Sequence, residues 1–179
     1  MGKFLDFEAV AKTNWAKPEI SKQPLWIVSV LGVVALFIMV FMPWASVSFH
    51  GEIPNAEKDL IIEGSRSGIS SVCGIFTLIG AIVALYGLLY RQYGFAVLGS
   101  GLALLMVIFF YMSDVDAGLT FTCSWDELDV KSVADLNDVR DTYRFSSSTY
   151  EGSTMGALLT GLFAVVTTIC SYLLYKREK

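Results

Sequence analysis

One histidine, three cysteines and four prolines are all that 179 residues supply of the types that build metal, redox and broken-helix sites. Three cysteines exclude a disulfide-rich secreted module. A lone His50 cannot form a zinc site with histidine partners, and no cysteine pair or HExxH motif accompanies it. Charge is scarce too. Only 17% of residues are Asp, Glu, Lys or Arg, against about a quarter in soluble domains. The balance is a net −4, which argues against a nucleic-acid partner. There is no Gly-x-Ser-x-Gly, no phosphate loop and no Cys/His pair in a plausible arrangement. The chain is therefore expected to be non-enzymatic, with no cofactor and no resident metal.

What the sequence has in quantity is apolar length. Hydrophobic residues make up 54% of the chain and the mean hydropathy is +0.57. So much apolar surface excludes a disordered chain. A spanning helix needs about 20 mostly apolar residues, and four stretches qualify: 25–42, 68–90, 93–112 and 154–175. None contains Asp, Glu, Lys, Arg or His. The expected fold class is an all-α membrane protein, a four-transmembrane-helix bundle with a small extracytoplasmic α+β cap built from two loops. The cap would come from 43–67, a β-hairpin, and 113–153, a strand and a short helix. Residues 1–24 read as an amphipathic segment, with Phe4, Phe7 and Ala11 at helical spacing. Residues 91–92 form a tight turn and 176–179 a charged tail. The first span ends Met42-Pro43-Trp44-Ala45, which is no cleavage site, so it reads as an uncleaved anchor.

Charge assigns the sides. Segments 1–24, 91–92 and 176–179 carry eight basic and four acidic residues, net +4, while the other two loops carry five and thirteen, net −8. Lys and Arg near span ends mark the cytoplasmic side, so both termini are expected there. Trp26, Tyr90, Tyr93, Tyr172 and Tyr175 would mark the inner interface, and Trp44 and Tyr111 the outer one.

In lipid, small residues let helices approach and attract each other. Each span has such a stripe: Ser29, Gly32 and Ala35; then Cys73, Thr77, Gly80, Ala84 and Gly87; then Ala96, Gly99 and Ala103; then Ala157, Gly161, Ala164, Thr168 and Ser171. All four prolines lie outside the spans, and no ionisable group lies within them. Coupled carriers use broken helices and buried carboxylates or histidines, so a pump is not expected.

The outer loops hold the remaining information. Ala45, Val47 and Phe49 alternate with serines, which is a half-buried strand pattern. Residues 51–55, with Pro54, supply a turn, and 59–63 return as the partner strand. Residues 119–125 are a third strand candidate. Residues 126–143 read as a helix whose face carries Val130, Val133, Leu136 and Val139. Residues 146–149 read as a polar run. Trp44, Phe49, Trp125 and the face from Val130 through Val133 and Leu136 would supply packing or contact area. His50, placed just past the first strand, reads as a solvated loop residue. Asp114 and Asp116 begin a calcium-loop pattern, but position twelve is Trp125, so the match fails. Asp114, Asp116, Asp126 and Asp129 leave a looser oxygen-ligand site as an alternative to a solvated acidic surface. Such a surface favours a basic partner. A Cys73–Cys123 disulfide is conceivable on the outer side; Cys170 lies at the inner end of its span.

This layout resembles that of claudin-type tetraspans: cytoplasmic ends, a first outer loop with strands and a tight inner turn. The resemblance is topological. The claudin first-loop signature, Gly-Leu-Trp followed by two spaced cysteines, is absent, and only Trp44 is comparable. No junctional or channel function is carried over. Small bacterial tetraspan proteins of unknown role resemble the layout as well, and imply a bacterial cytoplasmic membrane. The function expected is an assembly or interaction subunit working through the acidic cap. Its partners would be the lipid bilayer and another membrane or extracytoplasmic protein, or further copies of itself. The alternatives are an oligomeric pore lined by Thr160, Thr167, Thr168 and Ser171 of the fourth span, and an immunity factor against a membrane-active toxin.

Overall fold

A helix can begin at proline because its missing N–H is one that the first turn leaves unpaired. Pro24 does so here, opening α1 (Pro24–Phe41) rather than preceding it. The computed structural model describes residues 24–52, 54, 59–113, 118–125 and 128–177. The amphipathic segment expected before Pro24 lies outside the described residues. So do Asp114, Asp116 and Asp126, residues 53 and 55 of the expected hairpin turn, and the last two residues of the tail.

After α1 come β1 (Pro43–Glu52), β2 (Leu60–Ser67), a 3-10 turn (Gly68–Ser70), α2 (Val72–Leu89) and α3 (Tyr93–Met112). They are followed by β3 (Thr120–Cys123), α4 (Val133–Thr142), β4 (Ser147–Ser153) and α5 (Met155–Arg177). Four of these helices, α1, α2, α3 and α5, are long and apolar enough to cross a membrane. They mark the chain as an integral membrane protein of tetraspan form with a small sheet cap. The second apolar stretch does not run unbroken from Gly68. The Ser71 hydroxyl accepts from the Gly74 N–H at 2.9 Å and caps α2, leaving Gly68–Ser70 as a separate turn.

The four helices pack as a ring, α1 on α2, α2 on α3, α3 on α5 and α5 on α1. The Trp26 indole N–H donates to the Leu88 carbonyl at 3.2 Å, tying the start of α1 to the end of α2. Both ends of the described chain therefore lie at the end of the bundle away from the sheet. Outward faces are apolar on every helix, as at Leu31, Ile82, Leu105 and Leu158. Inward faces are small. A Cβ on Gly80 would stand 2.6 Å from the Gly99 carbonyl oxygen, and one on Gly99 would stand 2.5 Å from the Ala84 nitrogen. The α2 and α3 backbones are thus in direct contact, with Ala84 and Ala103 beside them. A Cβ on Gly32 would collide with the Thr167 hydroxyl across the α1–α5 seam. Gly161 is only half-buried, and its space is bounded by Val107.

Inside the bundle the hydroxyls are mostly paired with their own helices. Ser29, Thr77, Ser100, Thr160 and Thr167 each donate to the carbonyl four residues back, at 2.7–2.9 Å. This lets a polar side chain sit in an apolar interior without an orphaned donor.

The sheet has the order β3-β2-β1-β4, all antiparallel. β1 and β2 pair over the expected hairpin but run longer, and a bulge interrupts their register between Pro43 and Ala45. The run 146–149, expected only as polar, begins β4 from Ser147 onward. It was not recognisable because all seven residues of that strand are exposed, so no apolar alternation marks it. The cap helix starts at Val133, not near 126. Ser132 and Asp135 form a capping box that begins it there.

Gly99→Leu is expected to separate α2 from α3. The protein should melt several degrees lower in detergent, on the order of 1–3 kcal/mol for overpacking. Gly101→Ala, whose Cβ would meet nothing within 4 Å, should melt like the wild type. Equal melting of both variants would contradict the backbone contact.

Candidate functional site

The cap has two faces of opposite character because side chains alternate along each strand. One face carries Ala45, Val47, Phe49, Leu60 and Ile62, all buried. It shares one apolar cluster with Val130, Leu136 and Val139, and with Val40, Val107, Phe110 and Ala157 at the top of the bundle. Cap and bundle therefore have a common core. Two glycines on this face are filled by aromatic rings. A Cβ on Gly51 would lie 2.5 Å from the Phe145 ring, and one on Gly64 would lie 2.6 Å from the Phe121 ring directly opposite it.

Trp44 is the junction. The bulge next to it turns the indole inward, where it is 0% exposed. Its ring packs edge-on against Phe110, centroids 5.1 Å apart, and its N–H donates to the Met39 carbonyl at 2.9 Å. This corrects its assignment as an interfacial anchor, since a fully enclosed ring cannot sit among headgroups. Tyr93 is likewise buried, while Tyr111 is exposed and its hydroxyl donates to the Thr154 carbonyl at 3.2 Å.

The contact area expected from the cap's apolar residues shrinks for the same reason. Trp44, Phe49, Val130 and Leu136 are buried, so they pack the cap's own interior. Val133 and Trp125 are half-buried against it. Of the residues expected to pack helices, Gly32, Gly80, Ala84, Gly99, Ala103 and Ala157 are buried in the bundle.

The other face of the sheet is open and hydroxyl-rich. Ser46, Ser48, Glu63, Ser65, Thr120 and Thr122 line a shallow depression of about 320 Å³. Across the strands the register sets Thr122, Glu63, Ser48 and Glu151 in one row, and Thr120, Ser65, Ser46 and Ser153 in the next. His50 is on this face as well. It lies within β1 rather than past it, exposed, between Ile61 and Thr149. No carboxylate or thiol stands directly opposite it to make an acid–base pair.

An aromatic row borders the buried face. Trp125 meets Tyr143 edge-on at 6.1 Å, Tyr143 meets Phe145 at 6.4 Å, and Phe145 meets Phe49 at 5.2 Å. Tyr143 and Phe145 were not anticipated as functional candidates. The signal for Phe145 was a glycine, Gly51, on a strand's buried side, where an aromatic has room to lie. Cys73, Cys123 and Cys170 are free thiols. Among the described residues, no group of three or more His, Cys, Asp or Glu is placed to hold a metal ion.

Of the hydroxyls expected to line a pore on the fourth span, Thr160, Thr167 and Ser171 are fully buried within the bundle and Thr168 is half-buried. The faces of α5 that meet its surroundings are apolar, as at Leu162, Val165 and Ile169. No family model matches the chain, and a search of curated proteins finds no match.

Electrostatics in the cap are local. The Asp135 carboxylate accepts from the Lys131 and Ser132 backbone N–H groups, both at 2.9 Å. These bonds, the Lys131 one foremost, hold its carboxyl below the usual range. A lowered carboxyl pKa stabilises the folded form above the unfolded pKa, and the gain is lost as pH falls through the folded value. The Lys131 ammonium, hydrogen-bonded to Asp129, is held above its usual value. We expect Asp135→Ala at neutral pH to lower the exchange protection of amides 133–139, measured against the unfolded rate at the same pH, as should acidification of the wild type below the usual carboxylate range. Unchanged protection in both would show that the capping box does not hold α4.

Proposed function

We propose that the chain is a non-enzymatic membrane subunit that recognises another polypeptide through its acidic cap, which faces away from the cytoplasm. The observation that supports this reading most is the division of labour in the structure. The bundle has apolar side chains outside and most of its hydroxyls bonded to their own helices inside, the buried Ser171 hydroxyl being the one without a partner among the described residues. The cap carries an exposed, hydroxyl-rich sheet face with its own acidic row. The extracytoplasmic loops hold the net −8 and the opposite segments the net +4, which supports cytoplasmic termini by the distribution of Lys and Arg.

Arg91 adds to this. It occupies a left-handed backbone conformation, φ 59°, in the three-residue connection (90–92) between α2 and α3. Glycine adopts that conformation without the 1–2 kcal/mol or so that an L side chain costs. A cation kept there despite the strain is what a turn on the cytoplasmic side would favour. A bacterial cytoplasmic membrane is the setting we infer from the small tetraspan format.

Two measurements test the reading. A C-terminal reporter that fluoresces only in the cytoplasm should be bright; a dark fusion would reverse the orientation. A photo-crosslinker at Ser48, on the open sheet face, should give a discrete higher-mass adduct with another protein in native membranes. The same group at Leu31, on the outer side of α1, should not. Recovery of the monomer alone from Ser48 would remove the support for an interaction subunit.

A further inference from the structure

The two edges of the sheet are unlike. β3, at one edge, is four residues long, a length that blunts an edge by itself. β4 runs for seven residues, all exposed. It pairs with β1 along its whole length and, among the described residues, has no strand on its other side. Alternate residues of such a strand turn their N–H and C=O groups outward. Natural sheets defend an edge of this kind with Lys, Pro, a bulge or a covering segment. The β4 sequence, Ser-Ser-Thr-Tyr-Glu-Gly-Ser, contains neither Lys nor Pro, and its register with β1 runs without a shift. Among the described residues it offers about 24 Å of unpaired edge at 3.4 Å per residue, with Glu151 its one charge.

The faces beside that edge differ in chemistry. On the buried side of the sheet, Tyr150 stands opposite Phe49 and is 48% exposed. The row through Phe145 and Tyr143 leads towards it across Phe49. On the open side, Glu151 stands in the row with Ser48 and Glu63. A strand laid along β4 would place alternate side chains on these two faces.

We propose that β4 is a docking edge that takes an extended segment of a partner polypeptide as a fifth strand. The segment carries apolar residues at alternate positions, beside Tyr150, and Lys or Arg between them, beside Glu151. Charge selects this occupant over a second copy. The two outer loops of each chain carry net −8, so like caps repel while a basic segment is attracted. The proposal rests on the cap being an interaction surface and specifies the partner's chemistry.

The test uses the full-length protein in nanodiscs of zwitterionic lipid, where a basic peptide finds no anionic headgroups to bind. The probe is the heptapeptide Lys-Val-Lys-Val-Lys-Val-Lys, followed by fluorescence anisotropy and amide hydrogen exchange. Saturable binding is expected, with slowed exchange confined to residues 147–153. The same peptide N-methylated at every backbone amide loses its main-chain donors whichever edge faces β4 and should bind at least tenfold more weakly. Glu151→Lys should weaken the unmethylated peptide at least tenfold while leaving the melting temperature of the protein unchanged. Equal binding of the methylated peptide, slowed exchange elsewhere, or no saturable binding would overturn the proposal. So would slow exchange of 147–153 without peptide that grows with protein concentration, which would place a second copy on this edge. If Ser48 still crosslinks to a partner while the peptide fails, this assignment falls alone. If both fail, the reading beneath it falls too.

Discussion

Lipid gives two apolar helices no reason to leave it for each other, because its tails are as apolar as their side chains. What holds this bundle is therefore the distance its backbones can reach. At Gly80 and Gly99 that distance has been reduced until no Cβ fits between α2 and α3. The same device recurs where Gly32 admits the Thr167 hydroxyl between α1 and α5. Dispersion attraction falls steeply with separation, so every other helical contact is set by these near-zero gaps. The short connection over 90–92 goes with this closeness, joining α2 and α3 as an antiparallel pair.

The cap inherits its footing from the bundle. Its strands leave and re-enter the helices at Pro43, Ser67 and Ser153, so its base is as wide as the bundle top. Gly156 on α5 lies against the Pro43 carbonyl, which brings β1 down onto the helix that β4 feeds. Trp44 then fills the space between sheet and bundle. The result is a sheet seated on the bundle at its base and, among the described residues, open along one face and one edge.

The four spans were legible because lipid imposes a length and forbids charge, and both show in a linear sequence. The small-residue stripes were legible for the same reason. The cap was legible only where one face is buried. β1 alternates because Val47 and Phe49 are enclosed while Ser46 and Ser48 are not. β4 shows no alternation because, among the described residues, both of its sides are exposed. Trp44 was misplaced because a bulge, invisible in the sequence, turns a residue at a span's end into a core residue. The contact residues were misjudged on related grounds. A large apolar side chain in an outer loop reads equally as a binding anchor or as the core of a domain too small to have been counted. The capping box at Ser132 and Asp135 was readable and would have placed the start of α4 correctly.

The shared core between cap and bundle has a consequence for how the molecule is made. Trp44 comes from the segment just after the first span, Phe110 from the third, and Ala157 from the fourth, yet all three belong to one cluster. β1 also pairs with β4, about a hundred positions later in the chain. Contacts of such long range form late. During synthesis the first hairpin must wait, with one flank of the sheet bare, until the last helix is threaded into the membrane. A chain halted before α5 would carry an apolar sheet face and an unfilled seat around Trp44. Completion of the cap thus depends on all four spanning helices being in place.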